Sequence, residues 1–350
     1  MNDLNKTIIA FSALGDFLRS FNMSSTSEDI WSQKLKETII YAGHKNGWFN
    51  EKNVLYALKS WGDLLTEPQL TSWLSTYNAF DDIPALKPKT VAVIMAGNIP
   101  LVGFHDFLSV VISGNKALIK LSDSDKVLLP FLASFLTEKE ITLKNSIEFN
   151  EGKLENFDAV IATGSNNTAR YFEYYFGNKP NIIRKNRNSI AVLNGDETKS
   201  QLEALGKDIF QYYGLGCRSV SKIFVPEGYN FDTLFQAVFP FGDIINENKY
   251  ANNYDYNKAV YLMSDFPILD NGFLILKEDV GYGSPIASLN YEYYSDKEAL
   301  KNRLEKDIEQ LQCIVSSGFV SEEIDFGTTQ SPGLNDYADG IDTVDFLLRT

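Results

Sequence analysis

Thr90-Val91-Ala92-Val93-Ile94-Met95-Ala96-Gly97-Asn98-Ile99-Pro100 decides how this chain folds. Its first six residues are β-branched or apolar, the composition of a buried strand. Gly97-Asn98 breaks that strand, and Pro100 suits the first turn of a helix running over 100–112. Gly114 stops the helix, and Ala117-Leu118-Ile119-Lys120-Leu121 reads as a second strand. A helix over 125–135, a strand over 158–162, a helix over 167–176 and a fourth strand over 189–193 continue the alternation. Strands and helices alternating at this spacing build right-handed crossovers and a parallel sheet. Such sheets take ligands beyond the carboxyl ends of their strands, so the polar residues after each strand are the candidates for a site.

Upstream of this block, the first 85 residues read mainly as helix. Ile8, Phe11, Leu14, Phe17 and Leu18 fall close to helical spacing. Ser27-Glu28-Asp29 opens another helix with Trp31, Leu35, Ile39 and Ile40 on one face. A third spans 51–65 after the turn at Gly47, and Pro84 and Pro88 punctuate the chain. Downstream, a helix over 202–213 ends at Gly214, and a strand over 221–225 closes at Pro226-Glu227-Gly228. Helices over 231–238 and 297–311 and strands over 274–276 and 286–291 follow. A second domain therefore begins near residue 200. Residues 326–350, rich in Gly, Asp and Thr, read as an ordered loop with a short final element.

The composition excludes several classes of function. With 44% hydrophobic and 22% charged residues the chain is an ordinary globular sequence, neither disordered nor fibrous. A net charge of −14 over 350 residues leaves no basic footprint for nucleic acid. Gly97, Asn98, Pro100, Gly103, His105 and Asp106 interrupt the most apolar stretch, 91–112, and argue against a membrane span. Residues 1–19 lack the basic start and apolar core of a signal peptide, so the expected location is the cytoplasm. Cys217 and Cys313 are too few for a disulfide framework, and read as free thiols. His44 and His105 lie far apart and form no zinc pattern with them.

Cys217 is the strongest chemical candidate. It follows Gly214-Leu215-Gly216 and precedes Arg218, between a helix and a strand. A turn rich in N–H groups and a neighbouring cation favour the thiolate, the nucleophilic form. The competing reading is a small buried hydrophobe in a tight turn, which is the reading for Cys313 beside Leu311 and Ile314. Asn98 can cap the helix that follows it or point its amide at a developing oxyanion. Gly164-Ser165-Asn166-Asn167, between a strand and a helix, suits a cofactor phosphate or nicotinamide portion without being a G-x-G-x-x-G fingerprint. Lys120 and Asp123, after the second strand, could meet a ribose or lie in a solvated loop. Tyr171, Tyr174, Tyr175, Tyr212 and Tyr213 read as packing.

In this order the motifs resemble the aldehyde dehydrogenase superfamily. Gly97-Asn98-Ile99-Pro100 resembles its Asn-Phe-Pro turn, and 114–123 its Gly-Asn-…-Lys-Pro-Ser-Glu cofactor segment. Ala162-Thr163-Gly164-Ser165 resembles its Thr-Gly-Ser turn, and Gly214-Leu215-Gly216-Cys217 its Gly-Gln-x-Cys nucleophile turn. Glu278-Asp279-Val280-Gly281 resembles the Glu-Ile-Phe-Gly segment that holds the nicotinamide ribose. The superfamily's hydrolysing members carry a general-base glutamate where Ile182-Ile183-Arg184-Lys185-Asn186-Arg187-Asn188-Ser189 contains no carboxylate. That departure, the short length and the tail over 329–342 are similar to the acyl-CoA reductase branch, the LuxC type.

The resemblance implies an α/β, aldehyde-dehydrogenase-like fold. A helical N-terminal segment and a Rossmann-type nicotinamide domain would occupy 1–200, a smaller α/β catalytic domain with Cys217 would occupy 201–325, and 326–350 would be the tail. It implies that Cys217 attacks an acyl-CoA thioester while Asn98 and the Cys217 N–H hold the oxyanion. Lys120, Asp123, Gly164, Ser165 and Glu278 would bind NADPH, with NADH as the alternative because Asp123 would repel a 2′-phosphate that Lys120 would attract. A homodimer is expected, and an acyl-transfer protein is a further candidate partner. Two alternatives stand beside it: a reductase of another activated acyl group such as an acyl phosphate, and a non-catalytic acyl-binding subunit.

Overall fold

A computed structural model describes residues 3–26, 29–77 and 87–350. Ser27-Glu28 and Pro84 lie outside these residues; Asp29 caps the helix that follows it by accepting from the Ser32 N–H at 2.8 Å. The chain divides into two compact units, Met1–Lys185 with Gly333–Thr350, and Asn186–Pro332.

The first unit runs α1 (Asp3–Ser20), α2 (Ile30–Lys45), α3 (Glu51–Leu64), α4 (Glu67–Leu74), β1 (Thr90–Ile94), α5 (Phe104–Ile112), β2 (Lys116–Lys120), α6 (Leu128–Lys139), β3 (Ile147–Phe149), β4 (Ala159–Thr163), α7 (Asn166–Phe176) and β5 (Asn181–Arg184). All five strands are parallel in the order β3-β2-β1-β4-β5. Val91, Val93, Ala117, Ile119, Ala159 and Ile161 are fully buried, as expected of strands covered on both faces. Phe11 and Leu14 of α1, Leu35 of α2 and Leu70 of α4 join the same core, so the N-terminal helices are part of this unit.

Two helices begin later than the sequence suggests. The expected helix over 100–112 starts at Phe104, because Leu101 takes a left-handed φ of 58°. The one expected over 125–135 starts at Leu128 and runs to Lys139.

The second unit runs β6 (Asn188–Val192), α8 (Lys199–Phe210), β7 (Val220–Pro226), α9 (Phe231–Val238), α10 (Asn248–Met263), β8 (Ile268–Asp270), β9 (Ile275–Glu278), β10 (Ser288–Tyr294), α11 (Lys297–Lys306) and β11 (Leu311–Val315). Its sheet has the order β11-β6-β7-β10-β9-β8, parallel except for β8 against β9. The strand expected over 189–193 as the fourth of the first sheet belongs here, between β11 and β7. An apolar strand buried on both faces reads alike in either parallel sheet, so its pattern cannot name its neighbours. For the same reason the break between units falls after Lys185, ahead of the expected position near 200. Cys313 lies in β11, buried, where the sequence extends a helix to 311. α10 escaped the sequence reading because Asn, Tyr and Lys crowd it and it shows no apolar face.

The chain ends in α12 (Thr343–Arg349), which packs on the first unit through Val344 and Leu347. Tyr337 accepts a hydrogen bond from Trp73 Nε1 at 2.6 Å, and Tyr77 donates to both oxygens of Asp342 at 3.0 and 2.9 Å. The expected tail over 326–350 is thus divided, with 326–332 in the second unit and 333–350 in the first. In the same unit Arg184 and Asp106 form a buried ion pair, and Arg184 Nη2 also donates to Thr343 at 3.0 Å. Replacing Arg184 by Met would strand a buried carboxylate, and urea unfolding should show a loss of about 3–5 kcal/mol. Replacing Asp106 by Leu as well should recover much of it, and a single variant as stable as the parent would contradict this account.

Candidate active site

β2, β1 and β4 are neighbours, so the loops that follow them leave the same carboxyl edge of the first sheet. Strand order reverses between β1 and β4, the crevice where open parallel sheets bind ligands. Asn98, Lys120, Asp123, Gly164 and Ser165 all stand at this edge.

Asn98 is exposed on the turn after β1. A Cβ on Gly97 would come within 2.7 Å of Ser122 Cβ and 3.1 Å of the Asp125 nitrogen, so only glycine lets this turn lie against the loop after β2. The capping reading of Asn98 does not hold. α5 has Gly103 at its N-cap position and no side-chain cap.

Lys120 Nζ donates to the Gly152 carbonyl at 3.0 Å. Asp123 is exposed and pairs with Lys126 at 2.7 Å. That hydrogen bond and charge hold its carboxyl below the ordinary range, with Lys120 adding to the effect. Ser165 caps α7, accepting from the Thr168 N–H at 3.2 Å. Gly164 before it has Thr168 side-chain carbons 3.0 Å from where a Cβ would sit, so the turn is tight.

In the second unit the expected helix over 202–213 ends at Phe210. Tyr212, Tyr213 and Gly214 then take left-handed φ values of 55°, 60° and 75° in succession. Non-glycine residues persist in this region only when their surroundings hold them, and such strain gathers at functional sites. Both tyrosines are buried, and the Tyr213 ring packs 6.2 Å from that of Tyr250. This reversal delivers Cys217 to the turn ahead of β7, where it is exposed. The hydrophobe reading of Cys217 therefore fails, while Cys313 conforms to it.

The Cys217 turn is braced from several sides. Ser189 Oγ donates to the Cys217 carbonyl at 2.8 Å. The Ser219 N–H closes on the Gly216 carbonyl at 2.9 Å. Gln330 Nε2 donates to Ser219 Oγ at 3.1 Å, and Arg218 Nε donates to the Thr329 carbonyl at 2.5 Å. Arg218, expected beside the thiolate, is thus tied to the segment over 326–332. That segment is held by Asp208 of α8, fully buried, whose carboxylate accepts from the Gly327 N–H at 2.6 Å and the Thr329 N–H at 3.0 Å.

Glu278 ends β9, exposed, in register with Tyr291 of β10. The residues after it are tied down. Asp279 accepts from the Gly281 N–H at 2.8 Å, and Asn290 Nδ2 donates to the carbonyls of Gly281 and Gly283 at 3.1 and 3.0 Å. Lys222, fully buried in β7, donates to the Asp279 carbonyl at 2.9 Å and to Glu292 at 2.6 Å. Its ammonium lies 4.7 and 5.4 Å from the Phe224 and Tyr282 ring centres. Burial pulls its pKa down, and Glu292 opposes the fall.

The sequence reading missed Asp125, Asp208, Lys222 and the Thr329–Gln330 brace. Lys222 left one signal, a lone lysine inside the apolar strand Val220–Pro226. Asp125 left none, since Ser122-Asp123-Ser124-Asp125-Lys126 reads as a solvated loop.

The fold is that of the aldehyde dehydrogenases. The NAD-dependent aldehyde dehydrogenase from Sinorhizobium meliloti matches 91% of this chain and 71% of its own, with a TM-score of 0.61 at 13% identity. An indole-3-acetaldehyde dehydrogenase solved with NAD+ matches 92% and 77%, with a TM-score of 0.60 at 12% identity. Aldehyde dehydrogenase 21 from Physcomitrella patens, solved with the product succinate, matches 99% and 88%, with a TM-score of 0.58 at 13% identity. No curated protein matches the chain by sequence. The family model for acyl-CoA reductase (LuxC) matches residues 47–236, more than half of the chain; the chain belongs to that family and is an oxidoreductase of acyl or aldehyde groups.

Proposed function

We propose that this protein reduces an acyl-CoA thioester to the aldehyde through an acyl-enzyme on Cys217. The observation that carries the reading is the exposed Cys217 on a turn that three consecutive left-handed residues deliver and Ser189, Thr329 and Gln330 brace. The Cys217 thiolate attacks the thioester carbonyl and forms a C–S bond. Asn98 and the Cys217 N–H donate to the oxygen that becomes negative. Collapse expels CoA as its thiolate and leaves an acyl group on Cys217. A reduced nicotinamide, when bound, would supply the hydride to the acyl carbon, and Cys217 would then leave as its thiolate as the aldehyde is released.

The residues at the carboxyl edge of the first sheet fit such a cofactor. Lys120 offers a cation and the α7 N-terminus favours an anion, while Glu278 is the carboxylate that the resemblance would assign to the ribose hydroxyls. The Asp123–Lys126 pair supports NADPH ahead of NADH, because Lys126 neutralises the carboxylate that would repel a 2′-phosphate. A homodimer and an acyl-transfer partner belong to the same proposal. No helix among the described residues is long and apolar enough to cross a membrane.

The test is a matched series of acyl-CoA and acyl phosphate substrates, each with NADPH and NADH, followed by nicotinamide absorbance. Oxidation dependent on acyl-CoA and faster with NADPH is the expected result. Preference for acyl phosphates would favour the rival reductase. Tight acyl binding with no turnover and no Cys217 adduct would favour a binding subunit.

A further inference from the structure

We propose that Asp125 is a positioning residue that clamps the Asn98 turn against the loop after β2 and so sets where the Asn98 amide points. The inference rests on the oxyanion role given to Asn98 above. Asp125 is 8% exposed. Its Oδ2 accepts the Leu101 N–H at 3.2 Å, and its own N–H donates to the Ser122 carbonyl at 3.1 Å. Leu101 is the left-handed residue three positions after Asn98, and Gly97, one position before Asn98, is pressed against Ser122 and Asp125. The turn is therefore held at both ends by one short loop, and that loop follows the strand end bearing Lys120 and contains Asp123.

Burial pushes the Asp125 carboxyl up to about 6, eased only by the N–H groups of Leu101, Leu128 and Val127, with no cation offsetting it. Asparagine could accept the Leu101 N–H without that penalty. A buried acceptor that reaches from the loop after β2 to the N–H of left-handed Leu101, beside a turn carrying a candidate catalytic amide, is the pattern of a residue kept for geometry at a site.

The experiment compares Asp125→Ala, Asp125→Asn, Asn98→Ala and Asp125→Ala/Asn98→Ala in the full chain. Amide hydrogen exchange over 96–103 should quicken in Asp125→Ala on the order of tenfold, from loss of the hydrogen bond to the Leu101 N–H, and stay near the parent's rate in Asp125→Asn, whose amide oxygen can accept it. Turnover of acyl-CoA should fall about tenfold to a hundredfold in Asp125→Ala, with KM little changed and most of the loss rescued in Asp125→Asn. The double variant should lose no more than Asn98→Ala alone, since both changes remove one function. Unchanged exchange in Asp125→Ala, or full additivity with Asn98→Ala, overturns the proposal. If the parent reduces no acyl-CoA, the reading of the site falls, and the exchange measurement still decides whether Asp125 holds the turn. Should the alanine variant not fold, Asp125→Ser, too short to span to Leu101, takes its place.

Discussion

Cys217→Ala should leave no measurable reduction of acyl-CoA, while keeping the melting temperature and circular dichroism of the parent. Removing a covalent nucleophile deletes the pathway rather than slowing it. Cys217 is exposed on its turn, so losing the sulfur opens no core cavity. The parent, mixed with acyl-CoA in the absence of nicotinamide, should gain the mass of one acyl group, and the alanine variant should gain none. That adduct should persist until NADPH or NADH is supplied, then leave as aldehyde. The segment over 182–189 offers no carboxylate to activate water. Its Arg184 is buried against Asp106, and Arg187 Nη1 donates to the Leu311 carbonyl at 3.2 Å. Water without a positioned base is a poor nucleophile toward a thioester. Release of free carboxylic acid as fast as reduction would defeat the argument and point to another carboxylate, with Glu278 the first to test.

Asn98→Ala comes second, with turnover falling by about 10² to 10³, the usual cost of losing one oxyanion donor. The structure sharpens this expectation. Asn98 does not occupy the N-cap position of α5, so its replacement should change the melting temperature little. The measurement is kcat per folded molecule beside a thermal melt. A drop in melting temperature with unchanged turnover would return Asn98 to a structural role and remove the oxyanion assignment.

The order of motifs was legible because each combines a buried strand with a glycine-bearing turn. Val91 to Met95 before Gly97-Asn98 and Ala159 to Ala162 before Gly164-Ser165 both show it, and local sterics alone make such patterns readable. The turn at Cys217 was legible from its glycines, but its three left-handed residues were not. Tyr212 and Tyr213 carry side chains that favour ordinary helix or strand, and only packing around them, including the Tyr213 contact with Tyr250, holds them elsewhere.

By itself the sequence determined the alternation of strand and helix, the parallel sheet, the helical start and the positions of Asn98, Lys120, Gly164, Ser165 and Cys217 near the ends of elements, while Glu278 was marked only by the family resemblance. These depend on apolar periodicity and turn chemistry, which act within a few residues. Only the tertiary structure decided which sheet takes the strand at Asn188–Val192, and where 326–332 and 333–350 separate. It alone showed that Asp208, Lys222 and Asp125 are buried polar anchors. Strand partners, buried charges and the polar groups that satisfy them can lie more than a hundred residues apart along the chain, 121 for Asp208 and Thr329 and 159 for Arg184 and Thr343. Burial makes such contacts matter, because a polar group removed from water must find its partner wherever the fold brings one, and no local pattern records that meeting.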